Sequence, residues 1–305
     1  MPYCGLAFFV ENMSLKICRR KYVVERFKRK DYGMTLFVSE ALPEELEDML
    51  CQAVSGGSGN CGVVRLPAFD RYDAPVASHP DMLLFYRCGK IFCPEAYYAV
   101  NHELLEGGLK FAEGGRTCIK DKNSDFISFV PVKTPEPNSG GKCRYPDDVA
   151  LNAAQLISPS LGDMLFCRRK STAAEILLLY SDEAVADVRQ GYAHCSVCAV
   201  TEHAIITSDD GIARRAELCG IDVLKISPGG IMLDGYDSGF IGGASARVGD
   251  TLCFFGDPKT HQDGEKIIKF VNDHMLDCTD EENALRRMAT CPGTLRDYGS
   301  ALYIP

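Results

Sequence analysis

Four side chains in the sequence have the chemistry of a catalytic site. His79 lies two residues before Asp81 in the run His79-Pro80-Asp81, and an imidazole beside a carboxylate is typical of a general base and the group that orients it. Cys195 is a candidate nucleophile, and Ser300 is a weaker one unless a partner activates it. The alternatives are a hydrogen-bonded structural histidine at position 79 and an inert, buried thiol at position 195.

A second set of residues is suited to hold a positively charged ligand. The set consists of Asp81, Tyr145, Asp148, Asn152, Asp237 and Ser238. Several carboxylates around one pit favour a guanidinium or an amine, held through two parallel hydrogen bonds. The runs His79-Pro80-Asp81 and Tyr145-Pro146-Asp147 are near-copies, which leaves an alternative open. Pro-Asp can simply order the start of a strand, with the aspartate capping a backbone N–H group.

The sequence contains no motif that predicts a metal or a cofactor. Cys195-Ser196-Val197-Cys198 has the spacing of half a zinc or redox site. In a strand, however, residues three apart face opposite sides, and no second Cys/His pair has ligand spacing. Asp209-Asp210-Gly211 is typical of a helix start and lacks the further carboxylates of a calcium loop. The pair Gly242-Gly243 favours tight packing over the close approach of a ligand. We therefore expect no metal and no cofactor.

Composition and charge limit the partners and the compartment. The 305 residues carry a net charge of −9, which disfavours a nucleic-acid partner, and the basic runs at residues 19–21 and 26–30 are interpreted as a solvated pair of strands. No apolar run approaches the roughly 20 residues that a membrane span needs. The 15 cysteines are scattered and odd in number, which indicates mostly free thiols in a reducing cytoplasm. A homo-oligomer is compatible with these features.

The elements that must position the candidate residues follow a repeated order. Residues 241–257 read as a strand, a Gly-Asp turn and a second, apolar strand, and a helix pattern opens near Asp263. Aligned on that turn, five second strands are predicted, at residues 33–39, 89–94, 162–167, 202–208 and 249–256. Each precedes a helix of apolar period and a short third strand, the third strands being predicted at 63–66, 127–130, 184–188, 221–226 and 301–304. An extra helix is predicted from Thr279.

Five copies of a β-turn-β-α-β unit can bury their apolar faces only together. Arranged around an axis, with strands inside and helices outside, they form a ring, and pairing of the chain ends removes its exposed edges. We therefore predict an α/β fold, a closed pseudo-fivefold α/β propeller of ββαβ units that forms a single domain over residues 1–305. The residues that lead into each first strand should converge in a pit at the axis.

A five-unit ββαβ ring resembles the pentein fold of the guanidino-group-modifying superfamily. That superfamily contains arginine deiminases, dimethylarginine dimethylaminohydrolases, agmatine deiminases and amidinotransferases. Through the stretches at residues 191–196, 205–212 and 235–245, the chain is similar to a bacterial branch of it.

The match to the superfamily's functional motifs is partial. Its enzymes place a nucleophilic cysteine near the C-terminus, where Ser300 or Ala301 stands here, and use a Gly-Gly-Asp step, which reads Gly242-Gly243-Ala244 here. Their His-x-Asp pair is matched in letters by His79-Pro80-Asp81, which lies earlier in the chain, in the second unit.

The resemblance implies a protein that binds a small cationic metabolite of guanidino or amidine type in the axial pit, with Asp81 and Asp237 as charge partners. As an enzyme, a hydrolase or amidinotransferase, it would catalyse substitution at an amidine carbon, with His79 as base and Cys195 or Ser300 as nucleophile. The fold also resembles that of the translation factor that keeps ribosomal subunits apart. The alternative is therefore a non-catalytic pentein that binds a macromolecular partner through its faces.

Overall fold

Five three-stranded sheets are present in the computed structural model, which describes residues 34–55, 61–111, 127–137, 141–158, 160–275 and 288–304. These residues all belong to one compact unit, and the extension of the predicted domain to residue 1 stays a prediction. The basic runs at 19–21 and 26–30 and the helix predicted from Thr279 lie outside the described residues. No helix in the described part of the chain is long and apolar enough to cross a bilayer.

The sequence of elements alternates short strands with helices. The strands are β1 (Thr35–Ser39), β2 (Gly62–Leu66), β3 (Phe85–Arg87), β4 (Lys90–Pro94), β5 (Ser128–Val132), β6 (Ala154–Ser158), β7 (Gly162–Cys167), β8 (Val185–Asp187), β9 (Cys198–Thr201), β10 (Ala204–Thr207), β11 (Asp222–Lys225), β12 (Ser245–Val248), β13 (Thr251–Phe254), β14 (Met288–Thr290) and β15 (Leu302–Ile304). The helices are α1 (Glu44–Ser55), α2 (Pro80–Leu83), α3 (Glu95–Phe111), α4 (Ala174–Leu177), α5 (Ala193–Ser196), α6 (Asp210–Leu218) and α7 (Gly264–Met275). Strands β1 and β10 are buried along their whole length, as expected of apolar strands covered on both faces.

Each sheet has the same connectivity. Its central strand pairs antiparallel with one neighbour and parallel with the other, and a helix forms the crossover between the parallel strands. In four sheets the antiparallel partner immediately precedes the central strand in the chain. In the remaining sheet the central strand is β1, and its antiparallel partner is β15, with Thr35 opposite Ile304. The predicted strand–strand–helix–strand order is thus found in four of the five sheets, and the predicted pairing of the first and last strands is confirmed by β1 and β15.

Two local predictions are wrong. Residues 301–304 were expected to be the third strand of the fifth unit, but β14 pairs parallel with β13 in that place, and β15 belongs to the first sheet. A three-residue strand such as Met288–Thr290 is too short to produce a periodic pattern. Cys195 was expected in a strand, but it lies in α5, where Asn152 Oδ1 accepts hydrogen bonds from the backbone N–H groups of His194 and Cys195. A distant side chain thereby stabilises the helical turn.

Five apolar clusters form the core, and each contains residues of two sheets. Taken around the chain, they join the first sheet to the second, the second to the third, the third to the fourth, the fourth to the fifth, and the fifth to the first. Representative pairs within the five clusters are Phe37 with Ile91, Phe92 with Leu165, Leu156 with Ile205, Ile206 with Phe254, and Cys253 with Leu36. The apolar core therefore connects successive sheets, as stacking of repeated units requires.

Candidate functional site

Five short segments lead into the antiparallel first strands of the five sheets, and hydrogen bonds join them in a closed circuit. These lead-in segments are residues 79–84, 148–153, 192–197, 239–244 and 297–301. In turn, Asp81 N donates to Gly299 O (3.1 Å), Asn152 Nδ2 to Asp81 O (3.1 Å), His194 N to Asn152 Oδ1 (2.8 Å), Gly243 N to Cys195 O (3.0 Å) and Ser300 N to Gly243 O (2.9 Å). Residues more than 200 positions apart in the chain thus meet in one place.

Asn152 holds three of the lead-in segments together with one side chain. Its amide nitrogen donates to the carbonyl oxygen of Asp81 and lies 3.0 Å from the Cys195 sulfur. Its amide oxygen accepts from the N–H groups of residues 194 and 195. Asn152 is 1% exposed, so all of these bonds are made out of water. Asn152 therefore acts as a positioning residue for Asp81 and Cys195. We call the group formed by His79, Asp81, Asn152, Cys195 and Asp297 the inner cluster.

Two carboxyl groups are buried in the inner cluster. Asp81 is 1% exposed, and its carboxyl oxygens meet no described donor in full hydrogen-bond geometry, although the Cys195 thiol and the backbone N–H of Asp81 lie close enough to lower its pKa. Burial raises the pKa of Asp81 to about 8, and the charge of Asp297 adds to the rise. Asp297 accepts hydrogen bonds from Phe240 N and Gly299 N, both at 2.9 Å, and burial raises its pKa to about 6. Asp81 therefore keeps its proton at neutral pH in the absence of a ligand, and ionising it in such surroundings is costly unless a cation is bound beside it.

The thiol of Cys195 lies beside both carboxyl groups. Burial raises its pKa well above the ordinary value of 9.0, and the charges of Asp81 and Asp297 raise it further. The hydrogen bond from Asn152 acts in the opposite direction but does not reverse the effect. Without a ligand, Cys195 is therefore a protonated thiol and a poor nucleophile at neutral pH.

His79 is buried against the same cluster. Burial lowers its pKa to about 3, so the imidazole is neutral at pH 7. Its Nδ1 atom lies 3.7 Å from Asp297 Oδ1 and has no hydrogen-bond partner among the described residues. The ring packs directly on the backbone of Gly299, which has a φ of 72°, and a Cβ at that position would lie 2.2 Å from the Cβ of His79. A pKa this low makes His79 a weak base at neutral pH as long as the site is closed and empty of charge.

The glycine pair 242–243 packs tightly, as the sequence predicted. A Cβ added at Gly243 would lie 1.9 Å from Asp297 Oδ1, and one at Gly242 would lie 2.3 Å from the carbonyl oxygen of His194. The absence of side chains here lets the lead-in segments approach one another, and it gives Asp297 its place in the cluster.

A second polar group, which we call the outer cluster, consists of Tyr72, Asp148, Tyr192 and Tyr236. The Tyr192 hydroxyl donates to Asp148 Oδ2 at 2.7 Å, whereas the buried Asp148 Oδ1 accepts no hydrogen bond from the described residues. The Tyr72 hydroxyl is also buried and also lacks a partner in that part of the chain. Burial raises the pKa of Asp148, which the Tyr192 hydrogen bond opposes. Tyr236, by contrast, is exposed, so the cluster reaches the surface.

The other predicted site residues lie around these two clusters. Tyr145 is exposed, stacks 5.5 Å from the Tyr192 ring and donates its hydroxyl to Arg189 O. Asp237 is exposed, and Ser238 donates its hydroxyl to Ile231 O and Gly239 O. Ser300 is buried within the circuit and has a φ of 63°. The structure thus brings His79, Asp81, Asn152, Cys195 and Ser300 together and places Asp148 beside Tyr192. Asp237 follows Tyr236 in the chain but is exposed, and the hydroxyl of Ser238 is bonded to backbone oxygens outside both clusters.

Sequence reasoning missed Asp297 as a site residue, and it missed Tyr72. Asp297 stands two residues before Gly299 in the segment that leads into β15, and an acidic residue in a lead-in segment was the available signal. Tyr72 lies outside every lead-in segment and carries no such signal. In the described part of the chain, no group of three or more His, Cys, Asp or Glu side chains is arranged to hold a metal ion.

Comparison with known proteins gives a family and no activity. A family model described as a family of unknown function, DUF6873, matches residues 37–301, which include both clusters. The match covers most of the chain, and the chain therefore belongs to this family. No curated protein matches the chain.

Proposed function

We propose that this member of the DUF6873 family is a closed pseudo-fivefold α/β propeller of pentein type, and that it binds a small cationic metabolite with a guanidinium or amidinium group in the inner cluster. The ring is supported by the shared connectivity of the five sheets, by the β15–β1 pairing and by core clusters that lead from each sheet to the next and from the fifth back to the first. The circuit of lead-in segments would then lie at the axis.

The observation that carries the ligand proposal is the buried pair of carboxyl groups at Asp81 and Asp297. No basic side chain is paired with Asp81 among the described residues, and the side chain that acts on it as a hydrogen-bond donor is the weakly donating thiol of Cys195. A guanidinium or amidinium group supplies what is missing, because it offers a positive charge and two parallel N–H donors in the plane of a carboxylate. A cation bound there would offset the cost of burying Asp81 in its ionised form.

The same cation would activate Cys195. The carboxylates at positions 81 and 297 raise the pKa of the thiol, and a cation between them cancels their field. The ligand would then lower the pKa of the nucleophile that is to attack it. In the proposed reaction the thiolate sulfur bonds to the amidine carbon, the C–N bond to the leaving amine breaks, and water later cleaves the C–S bond to give the urea-type product.

Cys195 is preferred to Ser300 as the nucleophile. The sulfur is held by Asn152 beside the two carboxyl groups, whereas the contact that places Ser300 is a backbone one, from its N–H to Gly243 O. His79 is the proposed proton acceptor for the thiol and donor for the leaving amine, a role that requires ionised Asp297, 3.7 Å away, to raise the imidazole pKa above the value of about 3 that burial gives it. The described cysteines are all free thiols, which supports a reducing, cytoplasmic location as part of this proposal.

Calorimetric titration of the full chain tests the binding proposal. The ligands are arginine, agmatine, methylated arginines and simple alkylguanidines. We expect Asp81→Asn to weaken the binding of every guanidine by about tenfold or more, because one charge-assisted pair is lost. Asp250→Asn, which changes the same charge at an exposed hairpin turn, is the matched control and should bind as the wild type does.

Turnover is measured separately from binding. Cys195→Ala should keep its affinity for guanidines and lose the release of ammonia or amine. Heat exchange with none of these cations, or equal affinity in Asp81→Asn and the wild type, would refute the proposed ligand. Binding without product formation by the wild type would leave a binding protein and refute the catalytic part. The alternative, a non-catalytic pentein that binds a macromolecular partner, predicts heat exchange with none of these cations.

A further inference from the structure

Two thiols of the first unit lie in direct contact. Cys51, in the second half of α1, and Cys61, which immediately precedes β2, have their sulfur atoms 3.8 Å apart, within hydrogen-bonding distance for sulfur. The two residues are ten positions apart in the chain. Because the sulfur atoms of a disulfide are about 2 Å apart, these two need to approach by roughly 2 Å to form one. The fold therefore holds a pair of thiols close to bonding distance.

The two thiols differ in exposure and in acidity. Cys51 is half-buried, whereas Cys61 is buried. The hydrogen bond between the thiols lowers the pKa of Cys51, against the opposing effects of burial and of the charges of Glu47 and Asp48. The same hydrogen bond, together with burial, raises the pKa of Cys61. Since the thiolate is the reactive form of a cysteine, the thiol nearer to solvent is the one that reacts first, and the buried thiol is held beside it.

The pair lies at the sheet that joins the first and last strands of the chain. Gly62, next to Cys61, is opposite Thr35 of β1, and Thr35 is opposite Ile304 of β15 on its other side. Burial raises the pKa of Tyr303 in β15, and the nearby Cys61 adds to that rise. Helix α1 forms the crossover between β1 and β2. A covalent bond between the two sulfurs would therefore fasten this helix to its own sheet.

We propose that Cys51 and Cys61 are a redox-sensitive modification site, at which hydrogen peroxide forms a disulfide that fastens α1 to the first sheet. The site is separate from the inner cluster, and it does not depend on the proposed function. In a reducing compartment the thiols are the resting state, and a disulfide that forms there under oxidant is typical of redox sensing.

The oxidation proceeds in two steps. The Cys51 thiolate attacks one oxygen of hydrogen peroxide, so that an S–O bond forms and the O–O bond breaks, and the leaving hydroxide takes up a proton to become water. The sulfur of Cys61 then attacks the sulfur of this sulfenic acid. The S–S bond forms, the S–O bond breaks, and a second water leaves with the proton of Cys61. The two thiols lose two electrons, which the peroxide gains, and a dithiol reductant reverses the change by exchange.

The tryptic peptide of residues 31–65 makes the test direct, because it contains these two cysteines and no other. The reduced full chain is treated with a few equivalents of hydrogen peroxide, the remaining thiols are alkylated, and the digest is analysed by mass spectrometry. We expect this peptide to lose two hydrogens and to take up no alkylating reagent. The half-buried Cys219, alone in the peptide of residues 216–225, is the internal control and should still be alkylated. Dithiothreitol should restore both alkylation sites.

Thermal unfolding of the full chain measures what the bond does. Oxidation should raise the Tm of the wild type by about 4 °C or more, because the disulfide restricts the unfolded chain over a loop of about ten residues. Cys51→Ser and Cys61→Ser should show no such rise, whereas Cys219→Ser should gain as much as the wild type. Cys51→Ser, at the more exposed position, keeps the comparison available if Cys61→Ser does not fold.

Three results would overturn the proposal. The first is oxidation of Cys219 at the same peroxide level as the pair. The second is a sulfinic acid at Cys51 while Cys61 is still alkylated, which would show that the buried thiol does not reach its neighbour. The third is an equal rise in Tm for Cys51→Ser and the wild type. None of these measurements involves a guanidine, so failure of the proposed function would leave this inference standing.

Discussion

Replacing Asp81 with asparagine is expected to stabilise the folded protein while it removes the cation site. The carboxyl group is buried, and the side chain that acts on it as a donor is the weakly donating thiol of Cys195, so the isosteric amide, whose oxygen can accept from the same thiol, loses little there. It does lose the ionisable group, which in the folded protein keeps its proton to about pH 8. Residues that serve binding at the expense of stability behave in this way when they are replaced.

The size of the effect follows from the two pKa values. In the unfolded chain Asp81 loses its proton near its ordinary pKa of 3.8, whereas in the folded protein it does so at about 8. Between these values the folded state binds more protons than the unfolded state, so the free energy of unfolding falls as pH rises, by about 1.4 kcal/mol per pH unit. From pH 5 to pH 8 the free energy of unfolding of the wild type therefore falls by about 3 to 4 kcal/mol through Asp81, and that of Asp81→Asn does not.

Urea denaturation followed by far-UV circular dichroism measures this difference, because the chain has no tryptophan and guanidinium chloride would compete for the site. Both proteins are unfolded at several pH values between 5 and 8, and the variant's advantage is plotted against pH. Subtraction cancels groups that titrate alike in both proteins, such as His79, whose lowered pKa destabilises the fold below about pH 6.5. Asp297 does not cancel, because its charge interacts with that of Asp81, so the measured difference belongs to the pair. For Asp250→Asn, the difference in unfolding free energy from the wild type should not change with pH. A pH-independent difference for Asp81→Asn, or an Asp81→Asn protein less stable than the wild type at every pH, would show that Asp81 is not a buried carboxyl group with a raised pKa.

Two other variants test how the site is assembled. Gly242→Ala should lower the free energy of unfolding, measured in urea, by about 2 kcal/mol or more, because the added Cβ would lie 2.3 Å from the carbonyl oxygen of His194. The control is Gly107→Ala in α3, where the added Cβ meets open space. This control should raise the free energy of unfolding by about 0.5 to 1 kcal/mol. Asn152→Ala should lower the free energy of unfolding by about 2 kcal/mol or more, since it leaves buried backbone groups of two segments without a hydrogen-bond partner. Asn101→Ala is its control and should have a small effect, because it loses one partly buried hydrogen bond to its own helix. The packing described would be contradicted if Gly242→Ala and Gly107→Ala changed the free energy of unfolding equally, or if Asn152→Ala and Asn101→Ala did.

Much of the architecture could be predicted from sequence because each unit is local. The central strands and the long helices follow from apolar runs and apolar periods, and their partners lie within about one unit along the chain. Asp209 as a helix cap was predicted from the same local pattern, and its carboxylate accepts from Ile212 N at 2.8 Å. The convergence of His79, Asp81 and Cys195 followed from a simple rule: residues at equivalent places in repeated units meet.

The composition of the site was decided by tertiary structure. Asp297, and not Asp237, lies in the inner cluster, because the glycines at 239 and 243 leave room for its carboxylate and two backbone N–H groups fix it. The role predicted for Asp237 as a charge partner stays a prediction. Likewise, the turn that holds Cys195 is a helix because Asn152, 43 residues away, accepts its N–H bond.

The sequence by itself determined the repeated unit, the pairing of the chain ends and the positions from which a site would be built. Which carboxylates lose their contact with water, and therefore have raised pKa values, was decided only by the packing of five distant segments against one another. The physical reason is that periodicity records the contacts within a unit, whereas desolvation depends on all the atoms around a group, most of which come from elsewhere in the chain.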